Sequence, residues 1–282
     1  MTSYNHERYL PESIESTLNQ TFRDIELIIV DDASKDRSRD IILDYAQRDR
    51  RVRYIFHDTN RGISQTTNDG FDVATGKYIA YMQSDDVWFP HKLEKQYETI
   101  RQNPNVIVWS EAMIIDKEGN LTGQKFTEWL NASNRKKSGN LFFDLIKSNY
   151  ICGQSVLFPR DYLRKARFDP RLKYLNDYKF FLDLSKYYPF HFTESPLVKY
   201  RIHGGNSILN NTAEWQKDYF RLQKHIFRNY WTVLPNYLRA KIISRIAKYL
   251  KSKNHFGWAK KYFLKSILLN PLKTTNWKEL LA

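Results

Sequence analysis

Two short apolar runs in this sequence each end in a pair of adjacent carboxylates. Residues 27–30 lead into Asp31-Asp32, and residues 78–82 lead through two polar residues into Asp85-Asp86. Runs of this length and composition are typical of buried parallel strands, and open α/β sheets bind ligands at the carboxyl ends of their strands. Adjacent carboxylates repel each other unless hydrogen-bond donors or a divalent cation offset their charge. The sequence therefore predicts a crevice that holds a nucleoside diphosphate on a metal ion.

Helix-like stretches separate the apolar runs and produce an alternating order of strands and helices. Pro11, followed by Ile14 and Leu18 at a spacing of four, indicates a first helix. We therefore expect an α/β fold of the Rossmann-like type, with a mixed, mostly parallel sheet flanked by helices. Only residues 1–3 precede the first turn, so the first strand is expected to be truncated, and we hypothesise that the printed start is internal to a longer ancestral domain.

Composition excludes several classes of protein. A chain of 282 residues with 41% apolar and 15% aromatic residues is not disordered, and it has no apolar stretch long enough to predict a membrane-spanning helix. The first residues lack the basic and apolar segments of a secretory signal. The single cysteine, Cys152, excludes an internal disulfide and suits a reducing cytosol. We expect a cytoplasmic protein that is either free or peripheral on the cytoplasmic face of the membrane.

The net charge of +14 is concentrated near the end of the sequence. Residues 207–282 contain 15 Lys and Arg against three acidic residues. Three amphipathic helices are expected there, at residues 215–231, 235–251 and 257–269, and we predict a basic helical extension over residues 207–282. On charge alone this extension would attract either nucleic acid or anionic lipid headgroups.

Several short motifs occur in an order that carries a family resemblance. They include Thr2-Ser3-Tyr4-Asn5, residues 26–34, Asn60-Arg61-Gly62, Asn68-Asp69-Gly70, residues 74–79 and Ser84-Asp85-Asp86. Together they resemble the family 2 glycosyltransferases, which have the nucleotide-diphospho-sugar transferase (GT-A) fold. The resemblance covers roughly residues 1–205. It implies a catalytic domain over residues 1–206, with a nucleotide-sugar half at about 1–110 and an acceptor half at about 111–206.

The resemblance implies an inverting transfer of a sugar from a nucleotide-sugar donor, with UDP the expected carrier. Thr2 and Tyr4 match the turn that contacts the base, and Asp31 or Asp32 matches the carboxylate that binds the pyrimidine edge. The residues that the resemblance places against the nucleotide sugar are Thr2, Tyr4, Asp31, Asp32, Asn60, Asn68, Asp85 and Asp86.

The resemblance also implies a base and a metal. Asp177 matches the carboxylate that removes the proton of the acceptor hydroxyl. Asp86 matches the last carboxylate of the acidic motif and is expected to bind Mg²⁺ or Mn²⁺, both of which take oxygen ligands. His203, in a common closing motif, is a further candidate ligand. Three other histidines, His6, His57 and His91, have no metal-ligand spacing among themselves and are expected at the surface.

Two other functions stay open at the level of the sequence. A nucleotidyltransferase also uses a metal and carboxylates, but it normally has a glycine-rich phosphate loop, whereas the first turn here is Tyr4-Asn5-His6. A nucleic-acid-binding protein would use the basic extension, but that leaves the acidic crevice unexplained and no nucleic-acid motif is present.

The expected acceptor is a glycan or a lipid-linked glycan in the biosynthesis of polysaccharide for a bacterial cell envelope. Trp, Tyr and Lys occur together in the C-terminal helices, and this combination suits a lipid headgroup interface. We therefore expect contact with an anionic membrane surface and none with nucleic acid.

Overall fold

The structure is a computed structural model that describes residues 1–204, 206 and 213–271. The chain divides into two compact units. The first contains residues 1–145, 149–170 and the described residues from 176 to 206, and the second contains residues 146–148, 171–175 and 213–271. The predicted domain boundary adjoins residues 207–212, which lie outside the described residues.

A parallel sheet of three strands forms the start of the first unit. Its strands, in the spatial order β1-β2-β3, are β1 (Thr2–Ser3), β2 (Leu27–Asp31) and β3 (Val52–Phe56). Every residue of β2 is buried. A strand with both faces covered is apolar without alternation, which explains the run of Leu, Ile and Val that the sequence shows before Asp31.

Helices cover both faces of this sheet. They are α1 (Leu10–Leu18), α2 (Ser38–Arg48) and α3 (Ile63–Val73). Apolar residues of α1 and α2, among them Ile14 and Ile42, pack with Ile29 of β2. The neighbouring residue Val30 points to the opposite face, where a Cβ added to Gly70 of α3 would lie 3.3 Å from Val30 Cγ2. Glycine at this position therefore lets α3 lie close to the sheet.

A second sheet of six strands completes the first unit. Its strands are β4 (Tyr78–Ala80), β5 (Val87–Trp88), β6 (Ile107–Ile115), β7 (Leu121–Lys125), β8 (Leu157–Pro159) and β9 (Phe190–Arg201). The spatial order is β4-β8-β6-β9-β5, with β7 paired to β6. Strands β6 and β9 pair in parallel, and the other pairs are antiparallel. The predicted mixed sheet is confirmed, although the parallel pairs predominate only in the first sheet.

The two sheets meet at the short first strand. Thr2 donates its N–H to Met82 O at 3.1 Å, and Ser84 donates its N–H to Thr2 O at 3.1 Å. This bridge brings the carboxyl ends of β1, β2 and β4 to one edge. Beside β1 lies a cavity of about 500 Å³ that is lined mainly by apolar side chains of β2, α3 and β4 and does not include the paired acidic residues.

Seven further α-helices lie in the described residues. They are α4 (Lys92–Gln102), α5 (Phe126–Trp129), α6 (Phe142–Lys147), α7 (Asn176–Ser185), α8 (Ala213–Tyr230), α9 (Asn236–Ser252) and α10 (Phe256–Leu269). The last three are close to the predicted C-terminal helices. In the second unit, Phe263 of α10 packs on Ala247 of α9, and Ser266 Oγ donates to Ala240 O at 2.7 Å. Within the described ranges, no helix has both the length and the apolarity needed to cross a membrane.

Candidate active site

The carboxylate of Asp32 holds the loop between β3 and α3. It accepts hydrogen bonds from the N–H groups of Arg61, at 2.7 Å, and Gly62, at 2.8 Å, and it lies 2.8 Å from His57 Nδ1. Asn60 Nδ2 donates to Asp32 O at 3.3 Å. Gly62 has φ of 81°, in the left-handed region that favours glycine. The Asn60-Arg61-Gly62 motif is therefore fixed against the end of β2.

The carboxylate of Asp31 holds the turn that follows β1. It accepts hydrogen bonds from Ser34 Oγ, at 2.5 Å, and Ser34 N–H, at 3.0 Å, and it lies 3.2 Å from Arg39 Nε. Ser34 Oγ in turn accepts from the N–H of Asn5 at 2.9 Å. The neighbouring ring of Tyr4 is 45% exposed, which leaves it accessible to a planar ligand.

Most of the predicted nucleotide-sugar residues thus lie at one edge of the sheet. Thr2 and Tyr4 belong to β1 and its turn, Asp31 is the last residue of β2, and Asp32 follows it. Asn68 differs, because both polar atoms of its amide bond to the main chain of Phe168, at 2.9 and 3.1 Å. Contact of these residues with a ligand stays a prediction.

The pair Asp85-Asp86 is held by Arg201 at the end of β9. Arg201 Nε donates to Asp85 O at 2.8 Å, and the N–H of Arg201 donates to Asp86 Oδ1 at 2.8 Å. The guanidinium is buried and also pairs with Glu12 of α1. Ser13 Oγ donates to Asp86 O at 2.6 Å. The acidic pair is therefore bound both to α1 and to β9.

The two carboxylates differ in their electrostatic environment. Burial and then the charge of Asp85 raise the pKa of Asp86 well above its ordinary value. Burial acts on Asp85 in the same direction, but the hydrogen bond from His203 and the charges of His6 and His203 hold the pKa of Asp85 below its ordinary value. Without a further positive charge, the pair tends to carry one proton in place of its second negative charge.

Two oxygens of this pair have no hydrogen-bond partner in the described part of the chain. They are Asp85 Oδ1 and Asp86 Oδ2, and both are buried. A buried carboxylate oxygen without a donor is costly, and a divalent cation takes such oxygens as ligands. The residues present at this site therefore fit the metal that the sequence predicts.

His203 and His6 lie beside Asp85. His203 Nε2 is 3.1 Å from Asp85 Oδ2, and the possible ligand atoms of His6, Asp85 and His203 all lie within 4.8 Å of one another. The structure thus brings the predicted ligand His203 to Asp85, while Asp86, the other predicted ligand, is not part of this group. His6 was predicted at the surface, but it is only partly exposed, because its ring Nδ1 lies 2.8 Å from Ser84 Oγ.

The other two histidines behave differently from each other. His57 was also predicted at the surface, and this is wrong, because its ring is buried between Asp32 and Asp69. His91 has a side chain that is 60% exposed, as predicted. No spacing in the sequence distinguishes the three, since their surroundings depend on contacts between distant segments.

Asp177 lies in the first turn of α7. Its N–H donates to Asn176 Oδ1 at 2.7 Å, and Asp177 Oδ1 accepts from the N–H of Tyr178 at 2.6 Å. The other oxygen faces Gly153, where an added Cβ would lie 3.6 Å from Asp177 Oδ2. Burial raises the pKa of Asp177 to about 6, so the carboxylate is ionised but basic at neutral pH.

Tyr81 connects Asp177 with the acidic pair. A Cβ at Gly153 would lie 3.2 Å from the Tyr81 ring and also next to Asp177. Burial raises the pKa of Tyr81, and the charges of Asp177, Asp85 and Asp86 raise it further. The charges of the predicted base and of the predicted diphosphate-binding pair therefore all act on one tyrosine. Gln83 donates from Nε2 to the Tyr81 hydroxyl at 2.9 Å.

We predict that Arg201→Met lowers the free energy of unfolding by about 2 to 3 kcal/mol, since buried hydrogen bonds from a charged group are lost. Urea unfolding measures the change. The control is Arg53→Met, because Arg53 pairs with Glu26 at a position that is 48% exposed, and exposed pairs contribute less than about 1 kcal/mol. Equal losses in the two variants would show that Arg201 does not support the acidic pair.

Comparison with known proteins identifies the family. Residues 1–167 match the model of glycosyl transferase family 2. The chain is 31% identical over 246 residues to an uncharacterized glycosyltransferase of Methanocaldococcus jannaschii, covering 83% of each chain. It is 36% identical over 190 residues to an uncharacterized glycosyltransferase of Haemophilus influenzae, covering 66% of this chain and 70% of that one.

Solved structures share the fold at low sequence identity. A 1–349 fragment of Staphylococcus aureus TarS, crystallised in complex with UDP-GlcNAc, matches with a TM-score of 0.68 and 14% identity, over 94% of this chain and 77% of the fragment. A longer TarS structure matches with a TM-score of 0.63 and 15% identity, and there this chain spans 48% of the other. The family model matches more than half of the chain and includes both acidic pairs. The chain therefore belongs to glycosyl transferase family 2.

Proposed function

We propose that this chain transfers a sugar, with inversion at the anomeric carbon, from a UDP-sugar to a hydroxyl of a glycan or lipid-linked glycan during the synthesis of cell-surface polysaccharide. The observation that carries the proposal is that Asp177 and the Tyr81 ring both lie beside Gly153, and that the charges of Asp177, Asp85 and Asp86 all act on Tyr81. It provides a base and a diphosphate-binding pair in one site. The TarS complex with UDP-GlcNAc, which has the same fold, supports a UDP-sugar donor.

Asp177 is the proposed base. It accepts the proton of the acceptor hydroxyl while the oxygen of that hydroxyl bonds to the anomeric carbon and the bond from that carbon to the diphosphate oxygen breaks. A pKa of about 6 suits this role, because the group is ionised at neutral pH and still basic enough to take a proton. Asn176 fixes the main chain at this residue through its contact with the N–H of Asp177.

Asp85, Asp86 and His203 are the proposed ligands of Mg²⁺ or Mn²⁺. A cation bound there neutralises the charge that develops on the departing nucleoside diphosphate. The free oxygens of Asp85 and Asp86 and the contact of His203 with Asp85 support this assignment. Arg201, which binds the main chain of Asp85, keeps the carboxylates in position.

The nucleoside is proposed to lie along the ends of β1 and β2. The exposed ring of Tyr4 stacks on the base, Thr2 lies beside it, and Asp31 or Asp32 accepts from the pyrimidine edge. Each of these carboxylates has acceptor capacity beyond the donors described above. Asn60 holds the loop next to them, and Asn68 holds α3.

The first prediction from this proposal concerns the turnover of nucleotide sugars. With a panel of nucleotide sugars and Mn²⁺ or Mg²⁺, the purified chain should release nucleoside diphosphate, and Asp177→Asn should lower kcat by about 10² or more because the base is lost. The wild-type kcat/KM should fall about tenfold per pH unit below pH 6 as Asp177 becomes protonated.

The matched control is Asp161→Asn, an exposed carboxylate in the same unit, which should retain the wild-type rate. Unchanged turnover in Asp177→Asn would remove the base assignment. Release of no nucleoside diphosphate from any donor would remove the proposed function as a whole.

A second prediction uses the stability of Asp177→Asn. Because the pKa of Asp177 is raised in the folded state, the wild type loses stability as pH rises from about 4 to about 6 and the buried group ionises. The Asn variant has no such group, so its Tm should exceed the wild-type Tm at pH 8, and the difference should shrink towards pH 4. Thermal melts at both pH values measure this. A lower Tm for the variant at pH 8 would mean that the ionised carboxylate is well solvated or paired.

We further propose that the C-terminal helices bind the anionic cytoplasmic surface of a membrane. One side of α10 packs inside the second unit through Ala259, Phe263 and Ile267. The opposite side exposes Trp258, at 59%, and Leu268, at 82%. Lys261 and Lys265 lie on this same outer side by helical spacing, and a surface of exposed apolar side chains between lysines suits a headgroup interface.

Co-sedimentation with vesicles tests this surface. The chain should bind vesicles that contain phosphatidylserine at low salt and dissociate at high salt. Lys261→Glu with Lys265→Glu should weaken binding by about fivefold or more per lysine, whereas Lys117→Glu with Lys165→Glu, at exposed positions of the first unit, should not. Equal binding by the two double variants, or no binding at low salt, would contradict the proposal.

A further inference from the structure

We infer that His6 is a direct ligand of the divalent cation, and that the set His6, Asp85 and His203 selects Mn²⁺ over Mg²⁺. This inference rests on the proposed metal-assisted function of the site. It adds a ligand from the turn after β1, a segment whose proposed role is otherwise to contact the base. It also decides between the two cations that the acidic motif alone leaves open.

The side chains of His6, Asp85 and His203 lie close together. Their possible ligand atoms lie within 4.8 Å of one another. Opposite ligands of an octahedral ion with bonds of about 2.1 Å are about 4.2 Å apart, so small side-chain rotations bring all three atoms onto one ion. The rings of His6 and His203 stand nearly perpendicular, with centroids 5.8 Å apart. They therefore meet edge to face and do not stack.

Neighbouring residues hold both the ring and the main chain of His6. Ser84 Oγ lies 2.8 Å from His6 Nδ1, which leaves Nε2 as the nitrogen for a metal. Histidine ligands commonly have their other ring nitrogen bonded to a neighbouring polar group, which fixes the ring orientation. The main chain is fixed as well, because the N–H of His6 donates to Ser38 Oγ at 3.2 Å and the N–H of Leu10 donates to His6 O at 2.9 Å.

One carboxylate oxygen of Asp85 is buried without a partner in the described part of the chain. This side chain is only 5% exposed, and its Oδ1 has no hydrogen-bond donor among the described residues. Its other oxygen already contacts His203. A cation between Asp85 and the two imidazoles would give a partner to a buried acceptor that the protein itself leaves without one.

The chemistry of the ligand set determines the choice of cation. Mg²⁺ prefers oxygen ligands and loses its waters reluctantly. Imidazole nitrogens suit first-row transition metals, and His6 and His203 would add two of them to the carboxylate oxygens of the acidic pair. Of the two cations proposed for this site, Mn²⁺ is therefore favoured, with open positions for the diphosphate oxygens.

Binding of Mn²⁺ to the full chain, without any nucleotide sugar, tests the inference. Calorimetry should show tighter binding of Mn²⁺ than of Mg²⁺. His6→Gln should weaken Mn²⁺ binding by about tenfold or more, since even residues that only orient ligands contribute about 10- to 100-fold. The matched control is His91→Gln, which replaces an exposed histidine and should bind Mn²⁺ as the wild type does.

Pulsed electron paramagnetic resonance of bound Mn²⁺ gives a readout that needs no variant. Nitrogen couplings from two imidazoles are expected in the wild type and from one in His6→Gln. A signal from one imidazole only, or an unchanged Mn²⁺ affinity in a folded His6→Gln variant, would overturn the inference while nucleotide-sugar turnover could persist. Two imidazoles on bound Mn²⁺ together with no turnover of any donor would support the site and count against the proposed function.

Discussion

Two adjacent carboxylates inside a protein need positive charge close to them, and much of the first unit is arranged around this requirement. Arg201 supplies one charge from the last residue of β9, where its side chain reaches the main chain of Asp85 and its N–H reaches Asp86. The guanidinium is buried, so its interactions are weakly screened. Yet two buried oxygens of the acidic pair still lack a partner, which is why the site suits a cation as well.

The long strand β9 makes this arrangement possible. It pairs in parallel with β6 and also pairs with β5, the short strand directly after the acidic pair. Its end therefore lies beside Asp85-Asp86 and brings Arg201 and His203 to them. The short bridge at Thr2 does the same from the other side, since it joins the two sheets and brings the turn with Tyr4 and His6 to the end of β4. The end of β9 and the turn after β1, which are distant from each other in sequence, thus both lie beside the acidic motif.

The parts of this fold that depend on local pattern could be predicted from the sequence. The apolar run of β2 followed by Asp31-Asp32 required a buried strand with polar residues at its end, and the structure has both. The C-terminal helices likewise follow from amphipathic spacing. Strand β9 could not be predicted in this way, because Pro196 and the polar residues before it obscure the alternation, and its pairing with β6 depends on contacts between distant residues.

The same limit applies to the candidate site. Motif order pointed to Asp85, Asp86, Asp177 and His203, each of which the structure places near another of them or near Tyr81. His6 gave no such signal, because a histidine in a surface-like turn acquires its neighbours only when β1 bridges Gln83. Arg201 belongs to the closing motif that contains His203, but its contacts could not be predicted, for a related reason. An arginine at the end of a strand is usually a surface residue, and here burial against Asp85 and Glu12 gives it a structural role.

In the proposed function, Asp86 and Asp177 are two buried carboxylates with different tasks. Burial raises the pKa of both, but the causes differ in a way that matters for chemistry. The pKa of Asp86 is raised further by the negative charge of Asp85. A cation bound to the pair would remove that contribution. The pKa of Asp177 is raised by burial, and the charge of the pair is not among the causes, so Asp177 would keep its affinity for protons if the pair were neutralised. In the proposed function a bound cation would thus separate the two groups, so that the acidic pair would hold the diphosphate and Asp177 would take the proton.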